Sequence, residues 1–166
     1  MDLYGDKILY QTIKLKPHWK QFVVSHLPQC CLAVLLYVIA GIFDVREHVI
    51  VQLASFAFVC YLVYKVVYWN CMEYVVTDEQ IIFSHGVFSH ATDYMELYRV
   101  VDYQEHRTFI QQLFRVKTVI ISSGDRNMPV LELLGIKENN KVIQYIRIRV
   151  EYNKRSKGIY EITNRL

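Results

Sequence analysis

Three prolines, six glycines and no repeat at a fixed period leave nothing from which to build a linker, a collagen-like rod or a solenoid. Charge is also scarce: Asp, Glu, Lys and Arg make up 21% of the 166 residues, and 19 basic against 16 acidic side chains leave a net +3. That surplus is too small for a nucleic-acid binder. There are only four cysteines, and Cys30, Cys31 and Cys60 fall in apolar runs, where a thiol behaves as a small hydrophobe. No disulfide framework is implied, and the adjacent Cys30 and Cys31 would leave a helix on different faces instead of converging on zinc. Walker loop, G-x-S-x-G, H-E-x-x-H, C-x-x-C and Rossmann glycine patterns are all missing, so the sequence announces no nucleophile, metal or cofactor. The length suits one ordinary domain and excludes a multidomain enzyme.

What is present is apolar sequence: 53% of the chain, with a mean hydropathy of +0.14, too apolar for a disordered segment. Residues 22–43 carry no formal charge, and residues 49–69 carry only Lys65, near their end. A helix of either length covers roughly 30 Å, the thickness of a bilayer core. The expectation is a transmembrane hairpin turned by residues 44–48. A buried hairpin in a soluble bundle competes with it, but neither run has a continuous polar face. His26, Pro28 and Gln29 allow the first helix to start as late as Pro28, which a first turn tolerates, and His26 reads as interfacial because no partner is in sight. Lys7, Lys14, Lys16 and Lys20 precede the first run against only Arg46 in the loop, which places both termini in the cytoplasm. The membrane-interface residues are then Lys14, Lys16, Trp19, Lys20, Lys65 and Trp69, with Lys65 snorkelling to the headgroups.

From Cys71 onward, short runs of Val, Ile, Tyr and Phe alternate with turn residues, which predicts strands over 72–77, 80–85, 87–95, 100–105, 118–122 and 130–134. Tight turns fall at Thr77 to Gln80 and at His85-Gly86, a loop at 122–127, and 107–115 reads as either a short helical turn or an irregular connection. After Asn139-Asn140, a pair suited to an N-cap, Val142, Ile146 and Val150 recur every four residues and predict an amphipathic helix over 140–155. The alternation from Ile146 to Val150 keeps an edge strand open as the competing reading. His85 and His90, near Asp93, lie five apart and so on opposite faces of a strand, which favours surface histidines over a metal site. Asp102, Glu105 and His106 have no Ser or Cys at a diagnostic spacing, and catalysis is not expected.

Tyr74 to Ile82, the hairpin at Gly86-Val87-Phe88, Tyr98 to Tyr103, Gln111 to Phe114 and Val119 to Ser123 together resemble the bacterial pleckstrin-homology-like domain of small membrane proteins. The resemblance covers about residues 71–155 and extends to the hairpin upstream; where members often carry Gly, this chain has Arg115 and Lys117. It implies an α+β fold: a cytoplasmic segment (1–21), a two-helix transmembrane hairpin (22–69), then a partly open antiparallel β-barrel capped by a C-terminal helix (71–155) and a tail (156–166). It implies no catalytic residue and no cofactor. The expected function is a non-enzymatic binding or assembly module, tethered in the bilayer at the cytoplasmic face of the bacterial inner membrane. Its partner would be a protein or a second copy of itself, not nucleic acid, recruited by strand addition at sheet edges near Cys71 or Val130. The alternative is anionic lipid headgroup binding through Arg147, Arg149, Lys154, Arg155 and Lys157 of the C-terminal helix, since Asp78 and Glu79 make the first strand-to-strand loop acidic.

Overall fold

Burial alternates along the β-branched runs as a half-buried pleat requires, and those runs become strands. The computed structural model describes residues 10–40 and 45–159. In chain order the elements are β1 (Ile13–Leu15), α1 (Trp19–Ala40), α2 (Val45–Asn70), β2 (Glu73–Val76), β3 (Gln80–His85), β4 (Ala91–Glu96), a 3-10 turn (Leu97–Arg99), β5 (Val100–His106), α3 (Phe109–Phe114), β6 (Val116–Ser123), β7 (Val130–Lys137) and α4 (Val142–Ser156). They form two antiparallel sheets, β1-β2-β3-β4 and β5-β6-β7. The expected barrel is therefore two open sheets with α4 laid between them.

The core lies between the sheets and under α4. Tyr74 and Val76 of β2 point inward, and the Tyr74 ring stacks on Phe83, its cross-strand partner, at 4.8 Å between centroids. Burial pushes the Tyr74 phenol up to about 12, and its oxygen accepts a hydrogen bond from the Leu134 backbone N–H of the second sheet at 3.3 Å. Val142, Ile146 and Val150 are buried as one stripe of α4, packing with Leu97, Ile121 and Leu133. The helical reading of 140–155 holds, and the edge-strand alternative does not. The cap differs, because Lys141 occupies the N-cap position with no side-chain hydrogen bond, in place of the Asn pair.

Other departures have local causes. β4 starts at Ala91 instead of Val87, because Gly86 at φ +113° turns the chain and a Cβ there would collide with Ser89 O. The ambiguous 107–115 stretch contains α3, fixed by a capping box in which Thr108 Oγ1 accepts from Gln111 N and Gln111 Oε1 accepts from Thr108 N at 2.8 Å. Of the turn expected over 44–48, Asp44 lies with 41–43 outside the described residues, and 45–48 already belong to α2.

The sheet also recruits a strand from before the long helices. β1 pairs antiparallel with β2, Ile13 opposite Val76, so the edge expected near Cys71 is covered and the 71–155 boundary omits part of the sheet. Both ends of this segment are tied down. Ahead of β1, Arg149 Nη2 donates to Gln11 O at 2.7 Å with its guanidinium over the Tyr10 ring, and Tyr10 N donates to Asp78 Oδ1 at 2.8 Å. Behind β1, His18 N donates to Gly135 O at 2.9 Å, and Gln111 Nε2 donates to Gln21 Oε1 and Thr118 Oγ1, each at 2.9 Å.

Gly135 takes φ +65° at this junction, and a Cβ there would lie 2.7 Å from Gln21 Cβ and 3.0 Å from His18 N; Gly158 takes φ +66° with nothing within 4 Å. Gly135→Ala should therefore cost more than the ~1–2 kcal/mol of left-handed strain that Gly158→Ala incurs, by a further ~1–3 kcal/mol of overpacking. Thermal melts of the two variants read the difference directly, and equal midpoints would mean that α1 is not docked on β7.

Candidate functional site

Among the described residues β5 pairs with β6 on one side only, and the register slips at Val101, where a bulge is inserted. Across its other side, toward α4, lies an open groove of about 590 Å³. Val100, Ile143 and Val150 supply an apolar floor, and Asp102, Glu151, Arg147, Lys154 and Arg155 a charged rim. The Tyr103 backbone N–H donates to Asp102 Oδ1 at 2.7 Å. An edge strand beside a groove of mixed polarity can offer an extended peptide ladder partners for its backbone and contacts for alternate side chains.

Three of the five basic residues expected to contact lipid meet at this groove: Arg147, Lys154 and Arg155. Arg147 is ion-paired with Glu151, Nε to Oε1 at 3.1 Å. Arg149 is a correction, because it is buried and its guanidinium serves Gln11 O and Tyr145 O inside the fold. Lys157 lies away from the groove with Nζ 3.9 Å above the Tyr98 ring. Groove residues that the sequence reading did not single out are Ile143, Glu151 and Ile159, and Val101 was placed in a strand but given no role; its apolar side chain, exposed on that strand, was the available signal.

The expected interface residues separate. Lys14 projects from β1, Lys16 follows it, and Trp19 is exposed at the first position of α1 beside half-buried Lys20. Lys65 Nζ sits 5.5 Å from the Tyr61 centroid and 5.9 Å from that of Tyr68, a cation–π arrangement on α2. Trp69 is half-buried against the domain core, 6.4 Å from Phe22, and so fastens α2 to the domain.

The candidate chemical clusters are structural. His85 Nδ1 lies 3.8 Å from Asp93 Oδ2 with its ring stacked on Phe83 at 4.6 Å, and His90 is exposed in the turn. Glu105 accepts from Lys117 Nζ at 2.5 Å and from Arg107 Nη2 at 3.0 Å, while Arg107 Nη1 also reaches Glu138 at 2.6 Å. The buried Lys117 ammonium, and then Arg107, hold the Glu105 carboxyl below its ordinary value. Among the described residues no three His, Cys, Asp or Glu side chains gather as metal ligands.

Among the described residues one helix is long and apolar enough to cross a membrane, Val49–Asn70, and none of it is buried within the fold. Two open antiparallel sheets closed by a C-terminal helix define a PH-like domain, which follows directly on that apolar helix. The bacterial PH domain family matches residues 22–150, and the chain belongs to that family. The matched range runs from the first turn of α1 into α4, takes in all of α2, and leaves out β1. No curated protein and no solved structure matches the chain. Domains of this kind are generally binding modules and not catalysts.

The Glu105 pair gives a pH test. Because the folded carboxyl titrates below its unfolded value of 4.5, its contribution is complete above that value and is lost as pH falls through the depressed folded value. Lys117→Met removes the main cause of the depression. Denaturant midpoints taken at neutral pH and near pH ~3 should fall more for the parent than for Lys117→Met; parallel losses would mean that the pair does not couple to folding.

Proposed function

We propose that this chain is a non-enzymatic binding module held in the bacterial inner membrane by α1 and α2, and that the groove between β5 and α4 receives an extended segment of a protein partner as an added strand. The observation that carries this reading is the outer edge of β5 facing a groove with an apolar floor. The tether is supported by Val49–Asn70 and by the exposed Leu32, Val34, Leu35 and Val38 of α1, which packs along α2. Lys14, Lys16 and Lys20 at the root of α1, with Lys65 near the end of α2, concentrate positive charge on the domain side, which supports an orientation with both termini in the cytoplasm.

Lipid binding through α4 is the weaker reading. Arg149 is turned inward, Arg147 is paired with Glu151 and Lys157 sits on Tyr98, so the helix does not present its basic residues as one face. The rim also alternates acid and base, which suits a peptide better than a uniformly anionic surface.

Two experiments test the reading. In a background without native cysteines, a membrane-impermeant thiol reagent applied to intact cells should label His48→Cys and not Asn127→Cys; the reverse pattern would overturn the topology. A photoreactive benzophenone side chain placed at Val101 should crosslink in membranes to one discrete polypeptide, while the same group at exposed Glu132 on β7 should not. A crosslink to this chain itself would make the partner a second copy, and equal crosslinking at both positions would sink the groove as the docking site.

A further inference from the structure

α3 carries its apolar side chains on the wrong side for a helix in water. Phe109 is 82% and Leu113 74% exposed, whereas Gln111 of the same helix is buried on Gln21 and Thr118. α3 packs against α1, so these two side chains lie at the root of a helix read above as entering the bilayer. A second apolar tip stands at the root of the other helix. Phe88, 92% exposed in the β3–β4 turn, stacks on Tyr64 of α2 with 6.1 Å between centroids. Tyr64 is six residues before the end of α2 at Asn70, roughly 9 Å along the helix axis. The domain therefore reaches down beside the apolar helices instead of standing clear of them.

Next to α3 the same root holds a cleft of about 270 Å³, lined by His18, Lys20, Phe114, Arg115, Lys137 and Glu138, among others. Its carboxylate is already engaged, Glu138 Oε1 accepting from Arg107 Nη1 at 2.6 Å. Three cations remain around the opening, and burial, then Lys137 and Lys20, hold the His18 imidazole below its ordinary value. His18 Nδ1 accepts from Lys20 N at 3.3 Å, which leaves the proton of the neutral ring on Nε2 as a donor.

We propose that this cleft binds the phosphate of an anionic phospholipid headgroup, with Phe109 and Leu113 seated at the boundary between headgroups and acyl chains. The inference rests on the reading of α1 and α2 as membrane spans. A lipid, and not free phosphate, is the occupant because two exposed apolar side chains flank the cationic cleft where α1 begins. The site is separate from the β5–α4 groove and from the acidic Thr77 to Gln80 turn.

The test uses the full chain purified in detergent, with phosphatidylglycerol or phosphatidylcholine added and bound lipid read by native mass spectrometry. Phosphatidylglycerol should be retained over phosphatidylcholine, and inorganic phosphate at equal concentration should not displace it. Lys20→Gln, Arg115→Asn and Lys137→Gln should weaken retention about fivefold per charge removed; Asn is chosen at Arg115 because that residue has φ 55°. Lys137→Arg should retain the lipid, which separates charge from misfolding. Phe109→Ser with Leu113→Ser should weaken phosphatidylglycerol without restoring competition by phosphate. Retention unchanged in the triple variant, or lost only on changing Arg147, Lys154 and Arg155, would overturn the cleft as the site while leaving the spanning reading intact. A chain that stays in solution without detergent would overturn both.

Discussion

A buried amide must find its partners inside the fold or lose the free energy of desolvation, about 1–3 kcal/mol for each unmet group. Gln111 meets that requirement across three elements at once. Its Nε2 donates to Gln21 of α1 and Thr118 of β6, while its Oε1 accepts from the N-cap of its own short helix. The His18–Gly135 backbone bond stands beside it, and Gly135 lets the two chains approach as closely as they do. Such a network is satisfied in one geometry, so the direction in which α1 leaves the domain is set by the sheet and not by a flexible linker. The position of α3 against α1, and with it the cationic cleft, follows from that junction.

The segment ahead of α1 is held by a second polar cluster, and it decides which sheet edges stay open. Arg149 could not be buried without acceptors, since an unpaired charge in the interior is far costlier than any packing gain. It finds Gln11 O and Tyr145 O, while Asn153 Nδ2 donates to Asp78 O at 2.6 Å. With Tyr10 and Gln11 pinned in this way, β1 is delivered to β2 in register and closes that edge. Among the described residues β5 gains no such cover, because α4 lies across a groove from it and does not pair with it.

Much of this was legible in the sequence where a period was long enough to count. The stripe of Val142, Ile146 and Val150 gave the closing helix, and the β3 limits were read as they stand. β1 was not legible, because three residues carry too little alternation to register and their partner strand is about sixty residues away. Arg149 was read as a surface cation because it is charged, although it stands three residues after Ile146 and four before Asn153 on the inward face, so spacing contradicted composition. Trp69 was read as a membrane-belt aromatic; only the tertiary contact with Phe22 and the core shows that it joins helix to domain. The groove was out of reach for the same reason, since its two walls are β5 and a helix some forty residues later.

The Asp102–Tyr103 contact bears on how such a groove can work. An open strand edge invites indiscriminate pairing, and chains commonly blunt it with charge or a bulge; here Val101 is bulged and Asp102 covers the next amide. In the docking proposed above, an incoming strand would have to displace that carboxylate and offer the amide a carbonyl in its place, so the hydrogen bond exchanged would contribute little net free energy. What would remain to favour binding is burial of apolar side chains against Val101, Ile143 and Ile159 and the match of charges along the rim. If the groove receives a partner strand as proposed, discrimination falls to the side chains of the partner and not to its backbone, and the complexes should be reversible.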